Sequence, residues 1–386
     1  MSKICHLLGD SKYGGGSKVV LGLCECVIAD GHEAFILTTD TMLKEEIEKI
    51  GGTAVELDCI RRSVRPLWDL LGLFRLVRHL RNADYDLVHT HTSKAGMIGR
   101  FACRLAGVPS VVHTVHGFAF HEQSRPAIVS LISTFERLAA SWCDRIVTVS
   151  WFHRSWALRL GISTEEKIVA IPNGIAGVSK VTDDQRREFR SRLGVADDEF
   201  LVLGLGRLAE QKGFGDLISA IPLVMEMTTC RIKVKIAGEG PKRKELEQII
   251  DKLCLSDTVE LIGFSRDVVG LFGAADLIVQ PSLWEGLSIS LLEAMSAGKA
   301  VVTTTIESNT EVVGDTKCAV LVPAKNPAAL ASAITALITN DEARRIMETR
   351  AYEVFKDGYT EQRMHDDYAI LYSLLLMKTA SIEKIE

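Results

Sequence analysis

The sequence predicts an α/β protein with two doubly wound domains, and three observations lead to this prediction. The chain has 386 residues, which is enough for two domains of ordinary size. Short apolar runs alternate with longer helical patterns, as in parallel sheets covered by helices on both faces. The alternation begins again after the proline-containing turn at 171–175, so we expect a second sheet there.

In the first half, each short apolar run is predicted as a strand and each longer pattern between two runs as a helix. The predicted strands cover 4–8, 34–38, 87–90, 110–114 and 145–149, and the predicted helices cover about 17–30, 67–82, 93–106 and 125–141.

The second half repeats the pattern. Strands are predicted at 200–204, 233–237, 259–261, 277–280 and 300–304, with helices at about 214–226 and 241–253. A third helix is expected to start near Leu287 or Ser288 and to end at Gly298, because serine is a common N-cap and glycine often follows a helix.

The composition is that of a globular protein. Hydrophobic residues make up 47% and charged residues 25% of the chain, which excludes a disordered chain. No apolar run approaches the ~20 residues of a membrane span, and the N-terminus lacks a signal-peptide pattern. We therefore expect a cytoplasmic protein. The nine cysteines include no C-x2-C pair, so we expect them to be reduced core residues.

The formal net charge of −5 hides an asymmetry. Residues 1–180 carry 21 Lys and Arg against 18 Asp and Glu, whereas residues 181–386 carry 24 against 32. The basic surplus lies in the region from Arg61 to Arg104, which also contains Arg62, Arg65, Arg75, Arg78, Arg81, Lys94 and Arg100. This region could attach the protein to an anionic membrane surface, or it could be an ordinary crossover helix that buries its apolar stripe on the sheet.

Glu285 and Glu293 form the most informative pair in the chain. They stand eight residues apart across a strand end, a glycine loop and the start of a helix, a span of at most roughly 12 Å at helical rise. One carboxylate is expected in the loop and the other further down the helix, so that together they could hold two ends of an extended ligand with hydroxyl groups. The backbone at Gly286, Leu287 and Ser288 could receive a phosphate, because a helix N-terminus presents unpaired N–H groups.

Arg207 and Lys212 follow a predicted strand on a glycine-rich loop and stand five residues apart. Both side chains could reach one anion, since Arg offers a bidentate fork and Lys a mobile charge. A diphosphate suits this pair; two solvated loop cations are the alternative.

Three further glycine loops follow strands and could line a ligand. Gly15 and Gly16 precede the first helix, Gly238 to Pro241 precede another, and Gly263 and Phe264 follow a third strand, where they could contact a nucleotide base. A simple turn is an equally good interpretation of each. The first loop does not have the G-x-G-x-x-G spacing, which disfavours a dinucleotide-binding dehydrogenase.

Five of the ten histidines crowd at strand ends: His89, His91, His113, His116 and His121. Their spacing lacks the accompanying acidic or cysteine ligands of a zinc site, so we predict no metal. Hydrogen bonding to a polar ligand is expected for His116. For His89 and His91, core packing and substrate contact remain equal alternatives.

Together, the glycine loop, His116-Gly117, Gly206-Arg207 with Lys212, and the Glu285/Glu293 pair resemble the retaining glycosyltransferases of family 4, which have the GT-B fold. The resemblance covers essentially the whole chain and is most specific at 262–304. It implies an acceptor-binding Rossmann-like domain at 1–178, a nucleotide-sugar-binding one at 179–355, facing it across a cleft, and a C-terminal helix within 356–386 that crosses back.

The resemblance also implies roles for single residues. Arg207 and Lys212 would hold the donor diphosphate, Glu293 the ribose, and Glu285 with the backbone of Gly286 to Ser288 the transferred sugar. Gly15 and Gly16 would approach the phosphates, and His116 would lie near the sugar. The implied catalytic set is therefore His116, Arg207, Lys212 and Glu285.

The implied reaction moves a hexose or N-acetylhexosamine from a nucleotide sugar, preferably a UDP-sugar, to a lipid-linked or glycan acceptor. Capsule, exopolysaccharide and O-antigen enzymes of bacteria are the members that it resembles most. The resemblance implies no cofactor, no metal and no nucleic-acid partner, and peripheral attachment at the inner face of the cell membrane.

Two departures from the family pattern stand near the second glutamate. Lys299 replaces the usual proline, and 305–311 lacks the usual glycines; both could affect the choice of sugar. A nucleotide-sugar epimerase and a non-catalytic nucleotide-sugar-binding protein remain alternatives.

Overall fold

The computed structural model describes residues 1–10, 14–61, 63, 65–121 and 123–383, with side chains to residue 378. The chain divides into two compact units. The first unit comprises residues 1–174 and 361–386, and the second comprises residues 175–360. The first boundary falls within the proline-containing turn. Both boundaries lie a few residues from the predicted limits at 178 and 355.

The first unit contains a parallel seven-stranded sheet in the order β3-β2-β1-β4-β5-β6-β7. Its strands are β1 (Lys3–Gly9), β2 (Glu33–Thr38), β3 (Thr53–Val55), β4 (Leu87–His91), β5 (Ser110–Val115), β6 (Arg145–Thr148) and β7 (Ile168–Ala170). The five predicted strands are present. The two edge strands β3 and β7 were not predicted, because each has only three residues.

The helices of the first unit cover both faces of this sheet. They are α1 (Gly15–Ala29), α2 (Thr41–Lys49), α3 (Pro66–Ala83), α4 (Ser93–Ala106), α5 (Pro126–Ala140), α6 (Trp151–Arg159) and the C-terminal helix, which is described below. Helix α4 packs against α3 and α5, whereas α1 packs against α2 and the C-terminal helix. The sheet therefore lies between these two groups of helices.

The second unit contains a parallel six-stranded sheet in the order β10-β9-β8-β11-β12-β13. Its strands are β8 (Phe200–Leu205), β9 (Ile232–Ala237), β10 (Val259–Gly263), β11 (Leu277–Gln280), β12 (Val301–Thr304) and β13 (Val320–Val322). Its helices are α7 (Asp183–Arg192), α8 (Phe214–Met227), α9 (Arg243–Lys252), α10 (Val268–Ala274), α11 (Ile289–Ser296), α12 (Glu307–Val313), α13 (Pro327–Thr339) and α14 (Asp341–Gly358). The central strands are nearly continuous runs of buried aliphatic residues, as expected for strands covered on both faces.

The C-terminal helix α15 (Glu361–Glu383) belongs to the first unit. It lies within the predicted range of 356–386, although the first residues of that range still belong to α14, which ends at Gly358. Helix α15 packs on α1 and β5, so this terminal segment completes the first unit's core.

Each sheet has one point at which the strand order reverses. In the first unit it lies between β1 and β4, and in the second unit between β8 and β11. Ligands of open α/β sheets bind beyond the carboxyl ends of the strands at such a point. The loops that follow these four strands are therefore the candidate site regions.

The predicted fold class, two doubly wound Rossmann-like α/β domains, is confirmed. Within the part of the chain that the structure describes, we find no helix with both the length and the apolar character required to cross a bilayer.

Candidate functional site

In the second unit, the loops after β8 and β11 come into direct contact. Gly213 has a positive φ of +64°, and a Cβ atom at this position would lie 2.0 Å from the carbonyl oxygen of Pro281. Only glycine permits this approach. The contact is closed by a backbone hydrogen bond of 2.7 Å from Leu283 N–H to the carbonyl of Gln211, and it brings Lys212 to the β11 loop.

The Glu285 carboxylate is held by three donors, and only 7% of its side chain is exposed. Lys212 Nζ lies 2.5 Å from Oε1, Ser282 Oγ donates to the same oxygen at 2.9 Å, and Gln211 Nε2 donates to Oε2 at 3.0 Å. Charge-assisted hydrogen bonds of this kind fix a carboxylate in one orientation. Glu285 is therefore a preorganised group rather than a solvated loop residue.

The two predicted diphosphate ligands have different environments. Lys212 is mostly buried and ion-paired with Glu285, so the interpretation of this residue as a solvated loop cation was wrong. Arg207 lies on the exposed surface of the same loop, directly after β8. The loop thus presents one buried, ion-paired cation and one exposed cation at the reversal point of the sheet.

Four more predicted donor ligands lie just before helix α11 or on it. It starts at Ile289 with Ser288 as N-cap, but the Ser288 side chain makes no capping hydrogen bond; its hydroxyl points to Gln280 Oε1 at 3.4 Å. Ser288 therefore occupies the predicted N-cap position, but its side chain does not cap the helix. Gly286, Leu287 and Ser288 are buried at the helix start, and Glu293 is 8% exposed in the second turn.

Gly263 and Phe264 lie at the end of β10, which β9 separates from β8. Gly263 adopts a φ of +76°. Its carbonyl oxygen accepts a hydrogen bond of 2.8 Å from the backbone N–H of Gly238 in the loop after β9. Phe264 is 55% exposed, so its ring can stack on a planar ligand.

The predicted residues of the first unit also follow strands at its reversal point or next to it. Gly15 and Gly16 form the first turn of α1, after β1, and His116 lies directly after β5. The structure thus divides the predicted residues between the two units. Those of the second unit lie in the loops after β8, β10 and β11 and on α11.

Three buried imidazoles form a cluster in the first unit, and the sequence predicted only two of its members. His6 on β1 pairs in register with His89 on β4, and His91 lies on the same face two residues later. His6, His89 and His91 are all 0% exposed, so core packing is the correct interpretation of His89 and His91. The strand pairing that adds His6 cannot be read from spacing along the chain.

Burial keeps these imidazoles neutral. It lowers the pKa of His6 to about 3 and the pKa of His116 to about 4, and it lowers the pKa values of His89 and His91 well below their usual range. Charging a buried ring is costly because water is absent.

His6, His89 and His91 are close enough to share a metal ion, since one nitrogen of each lies within 4.8 Å of the others. Both nitrogens of His89, however, already meet hydroxyl groups at 2.7 Å: the Tyr372 hydroxyl at Nδ1 and Thr114 Oγ1 at Nε2. Hydrogen bonds therefore account for this ring without a metal.

Lys299 lies away from the candidate site. Its Nζ donates to the Ala275 carbonyl at 2.9 Å, before β11 begins, whereas Glu285 follows the end of that strand. Lys299 therefore lies near the amino ends of the strands, opposite the candidate site, and this position argues against a direct role in the choice of sugar.

The basic region from Arg61 to Arg104 is only partly a charged surface. Arg100 is fully buried and bonds Glu136 at 2.8 Å, and Lys94 bonds Asp69 at 2.6 Å. These two cations do not contribute to an exposed patch, contrary to expectation. Arg62 lies outside the described residues. The exposed members are Arg65, Arg75, Arg78, Arg81 and Arg104.

Apolar side chains are exposed on the same group of helices. On α3 they are Leu67, Trp68, Leu70, Leu71 and Phe74, and on α5 they are Ile128, Leu131, Phe135 and Leu138. Leu67 is 80% and Phe74 70% exposed. The crossover-helix interpretation therefore explains Leu76 and Leu80, which are buried, but not this outer stripe. The stripe on α5 was not predicted.

Two family models match the chain. Glycosyltransferase Family 4 matches residues 13–176, and Glycosyl transferases group 1 matches residues 185–354. The first match lies almost entirely in the first unit, the second lies within the second unit, and together they span most of the chain.

Curated relatives and a solved structure agree with these matches. The chain is 29% identical over 316 residues, 81% of either chain, to the UDP-Gal:alpha-D-GlcNAc-diphosphoundecaprenol alpha-1,3-galactosyltransferase of Escherichia coli. It is 22% identical over 354 residues, 89% of this chain and 92% of the relative, to the N,N'-diacetylbacillosaminyl-diphospho-undecaprenol alpha-1,3-N-acetylgalactosaminyltransferase of Campylobacter jejuni. HepE of Anabaena, solved with UDP and glucose, has the same fold, with a TM-score of 0.82 at 22% identity over 97% of this chain and 100% of HepE.

Proposed function

Because this chain belongs to the glycosyltransferases that join a family 4 domain to a group 1 domain, we propose that it transfers a hexose or N-acetylhexosamine from a UDP-sugar to a lipid-linked acceptor, with retention of configuration. The acceptor class follows from the relatives, two of which act on diphosphoundecaprenol-linked sugars. Synthesis of a bacterial surface polysaccharide is the corresponding role.

The observation that carries this proposal is the Lys212–Glu285 pair at the reversal point of the second sheet. The carboxylate, fixed by three donors, can accept hydrogen bonds from sugar hydroxyls without reorganising. The cation beside it can stabilise negative charge on a diphosphate. Glu285 can therefore bind the sugar while the adjacent Lys212 binds the leaving group.

In the proposed reaction, the bond between the sugar C1 and the UDP oxygen breaks while a bond from the acceptor oxygen forms on the same face. The acceptor proton passes to the departing diphosphate oxygen. Lys212 and Arg207 stabilise the charge that develops on this leaving group, which is electrostatic catalysis. Glu285 positions the sugar, and Glu293 binds the ribose hydroxyls.

The remaining predicted residues have supporting roles in this proposal. The backbone from Gly286 to Ser288 contacts the sugar and phosphate, and Phe264 with Gly263 contacts the base. In the first unit, Gly15 and Gly16 are assigned to phosphate and His116 to the sugar. No metal and no cofactor enters the proposed reaction, since the basic side chains take the place of a divalent cation.

Exposed leucines and arginines on one helical layer support attachment to an anionic membrane. The outer faces of α3 and α5 combine apolar side chains with arginine, and α4 packs against both helices. Apolar side chains can enter the interface while arginines meet lipid phosphates. Such a surface would hold the enzyme where a lipid-linked acceptor resides.

The donor is tested by thermal stabilisation with UDP and GDP sugars, followed by incubation with a polyprenyl-diphosphate-linked sugar. We expect stabilisation by UDP-sugars, and a lipid-linked glycoside with the anomeric configuration of the donor, also in EDTA. Isomerised nucleotide sugar without a glycoside would favour the epimerase alternative. Binding without any product would favour the non-catalytic one.

The membrane surface is tested by sedimentation with vesicles of phosphatidylcholine containing phosphatidylglycerol. We expect Leu70→Ser with Phe74→Ser to lower binding about tenfold or more, because two exposed apolar groups no longer enter the interface. Met225→Ser with Met227→Ser, which alters two exposed apolar residues of the second unit, is the matched control. Equal effects of the two pairs would contradict the assignment.

A further inference from the structure

Three imidazoles of the first unit form a hydrogen-bonded row that starts at a predicted substrate-contacting residue. His116 Nε2 lies 3.1 Å from His91 Nδ1, and His91 Nε2 lies 3.1 Å from His6 Nδ1. The row follows from strand register: His6 on β1, His91 on β4 and His116 just after β5 point to the same face of adjacent strands. We call these three residues the histidine row.

The two ends of the histidine row differ in exposure. His6 is fully buried, and its Nε2 has no hydrogen-bond partner among the described residues. His116 is partly exposed at the other end, and the described residues give its Nδ1 no partner. A ligand can therefore reach only the His116 end.

The hydrogen bonds couple the protonation of the three rings. A neutral imidazole has one N–H donor and one bare nitrogen. If His91 donates from Nδ1 to His116, its Nε2 must accept from His6; if it donates from Nε2 to His6, its Nδ1 must accept from His116. All three rings therefore carry the proton on the same type of nitrogen, either Nδ1 or Nε2.

The buried end selects between these two arrangements. With the protons on Nε2, His6 would bury an N–H without an acceptor; with the protons on Nδ1, it would bury only a bare nitrogen. Among buried backbone groups, orphaned N–H groups are rarer than under-satisfied C=O groups, and we apply the same order to the buried ring nitrogen of His6. The arrangement with all protons on Nδ1 is thus favoured, and it leaves the accessible Nδ1 of His116 as a donor.

We propose that His6 and His91 are positioning residues that hold His116 with its proton on Nδ1, so that it presents a hydrogen-bond donor to an oxygen of the sugar donor. This inference rests on the proposed function for the identity of the ligand, but the tautomer itself does not depend on it.

Helix α15 supports the histidine row from the side. The hydroxyl group of Tyr372 lies 2.7 Å from His89 Nδ1. The other ring nitrogen, Nε2, contacts Thr114 Oγ1, which in turn lies 3.0 Å from the Tyr368 hydroxyl. The His89 ring packs on His91, with centroids 4.1 Å apart. The C-terminal helix therefore fixes the ring against which the middle member of the row packs.

The first test reads the tautomers in the unliganded wild-type protein, by ¹⁵N NMR of histidine-labelled protein near neutral pH. We expect the Nδ1 resonances of His6, His91 and His116 to be protonated and their Nε2 resonances bare. Protons on Nε2, or averaging between the two tautomers at His116, would overturn the proposal. This measurement needs neither a variant nor turnover.

The second test replaces the middle residue. His91→Asn keeps an N–H donor near the position of Nδ1, whereas His91→Leu removes it. We expect His91→Leu to lower kcat/KM for transfer about three- to tenfold, as for one lost hydrogen bond, with UDP affinity unchanged and the His116 tautomers mixed. His91→Asn should recover most of the loss and restore Nδ1 protonation; equal activity of the two variants would contradict the positioning role.

The two proposals fail in different ways. If no UDP-sugar gives a glycoside with the wild-type protein, the proposed function fails while the NMR result still decides the tautomer. If glycoside forms but His116 carries its proton on Nε2, only the positioning role fails.

Discussion

In both units the strand order reverses in the same way, but the side chains at the two reversal points differ in charge. In the first unit, β1 and β4 bring together neutral, buried imidazoles; in the second, the loops after β8 and β11 bring together an ammonium and a carboxylate. All ten histidines lie within residues 1–174 and 361–386, and residues 175–360 contain none. The same backbone device thus positions groups that bond without charge in one unit and groups that bind charge in the other.

This difference predicts that acid will destabilise the first unit selectively. Four buried imidazoles, those of His6, His89, His91 and His113, and the half-buried imidazole of His116 have lowered pKa values. The unfolded chain binds protons below about pH 6.5, whereas folded His116 does so only near pH 4 and His6 near pH 3, so unfolding is favoured as the pH falls through this window. Each histidine contributes up to about 1.4 kcal/mol per pH unit.

Hydrogen exchange measured by mass spectrometry at pH 7.5 and 5.5, corrected for intrinsic exchange rates, checks this prediction. Peptides from β4 and β5 should lose protection at pH 5.5, while peptides from β8 and β11 serve as the internal control. Equal loss of protection in both units would show that the imidazoles are not the cause.

One buried ion pair from each unit extends the comparison: Arg100–Glu136 in the first unit and Lys212–Glu285 in the second. Arg100 and Glu136 join α4 to α5 with side chains 0% and 8% exposed. Glu136→Leu leaves a buried guanidinium without its partner, and we expect a loss of about 3–5 kcal/mol in the free energy of unfolding. Urea denaturation measures this loss, and UDP affinity of the folded protein should not change.

A double replacement is the matched control for this pair. Arg100→Leu with Glu136→Leu removes both charges, and apolar replacement of a whole buried pair is often close to neutral. The double variant should therefore be more stable than Glu136→Leu alone. If it is equally unstable, packing of the aliphatic parts rather than the unpaired charge explains the loss.

Replacing Lys212 should affect activity and UDP binding, whereas UDP binding should not change in Glu136→Leu. We expect Lys212→Ala to lower kcat/KM about 100- to 1000-fold, the usual effect of removing one preorganised group that stabilises developing charge, and to weaken UDP binding. Lys244→Ala removes an exposed lysine of the same unit and is the control. Retained activity and UDP affinity in Lys212→Ala would disprove the diphosphate assignment.

The sequence predicted the central strands of both sheets and the loops of the second-unit site, because long apolar runs and glycine loops are local patterns. It did not predict β3, β7 or β13, which are three-residue edge strands with too few residues for a periodic signal. It also placed Lys94 and Arg100 on a charged surface. Their partners, Asp69 and Glu136, lie 25 and 36 residues away, and only the fold reveals them.

The same limit applies to the candidate site. Glu285 and Lys212 could be nominated separately from their loops, but their direct pairing depends on the close approach of Gly213 to Pro281. His6 was not nominated, since its relation to His91 arises from strand order. Local chemistry is therefore readable from one segment, whereas the contacts that position it require the sheet.

The smallest expected effect concerns the other end of the predicted donor, at Glu293. We expect Glu293→Gln to weaken UDP binding about tenfold, as for a hydrogen bond to a charged group, whereas Glu285→Gln should mainly lower turnover. Calorimetry with UDP and with 2′,3′-dideoxy-UDP separates the ribose contact from a general loss of affinity. The wild-type protein should prefer UDP, and Glu293→Gln should lose most of that preference, because the replaced side chain binds the ribose hydroxyls.

A preference that survives in Glu293→Gln would assign the ribose to another residue. Equal effects of the two glutamate variants on UDP affinity would show that Glu285 and Glu293 do not contact separate ends of one donor.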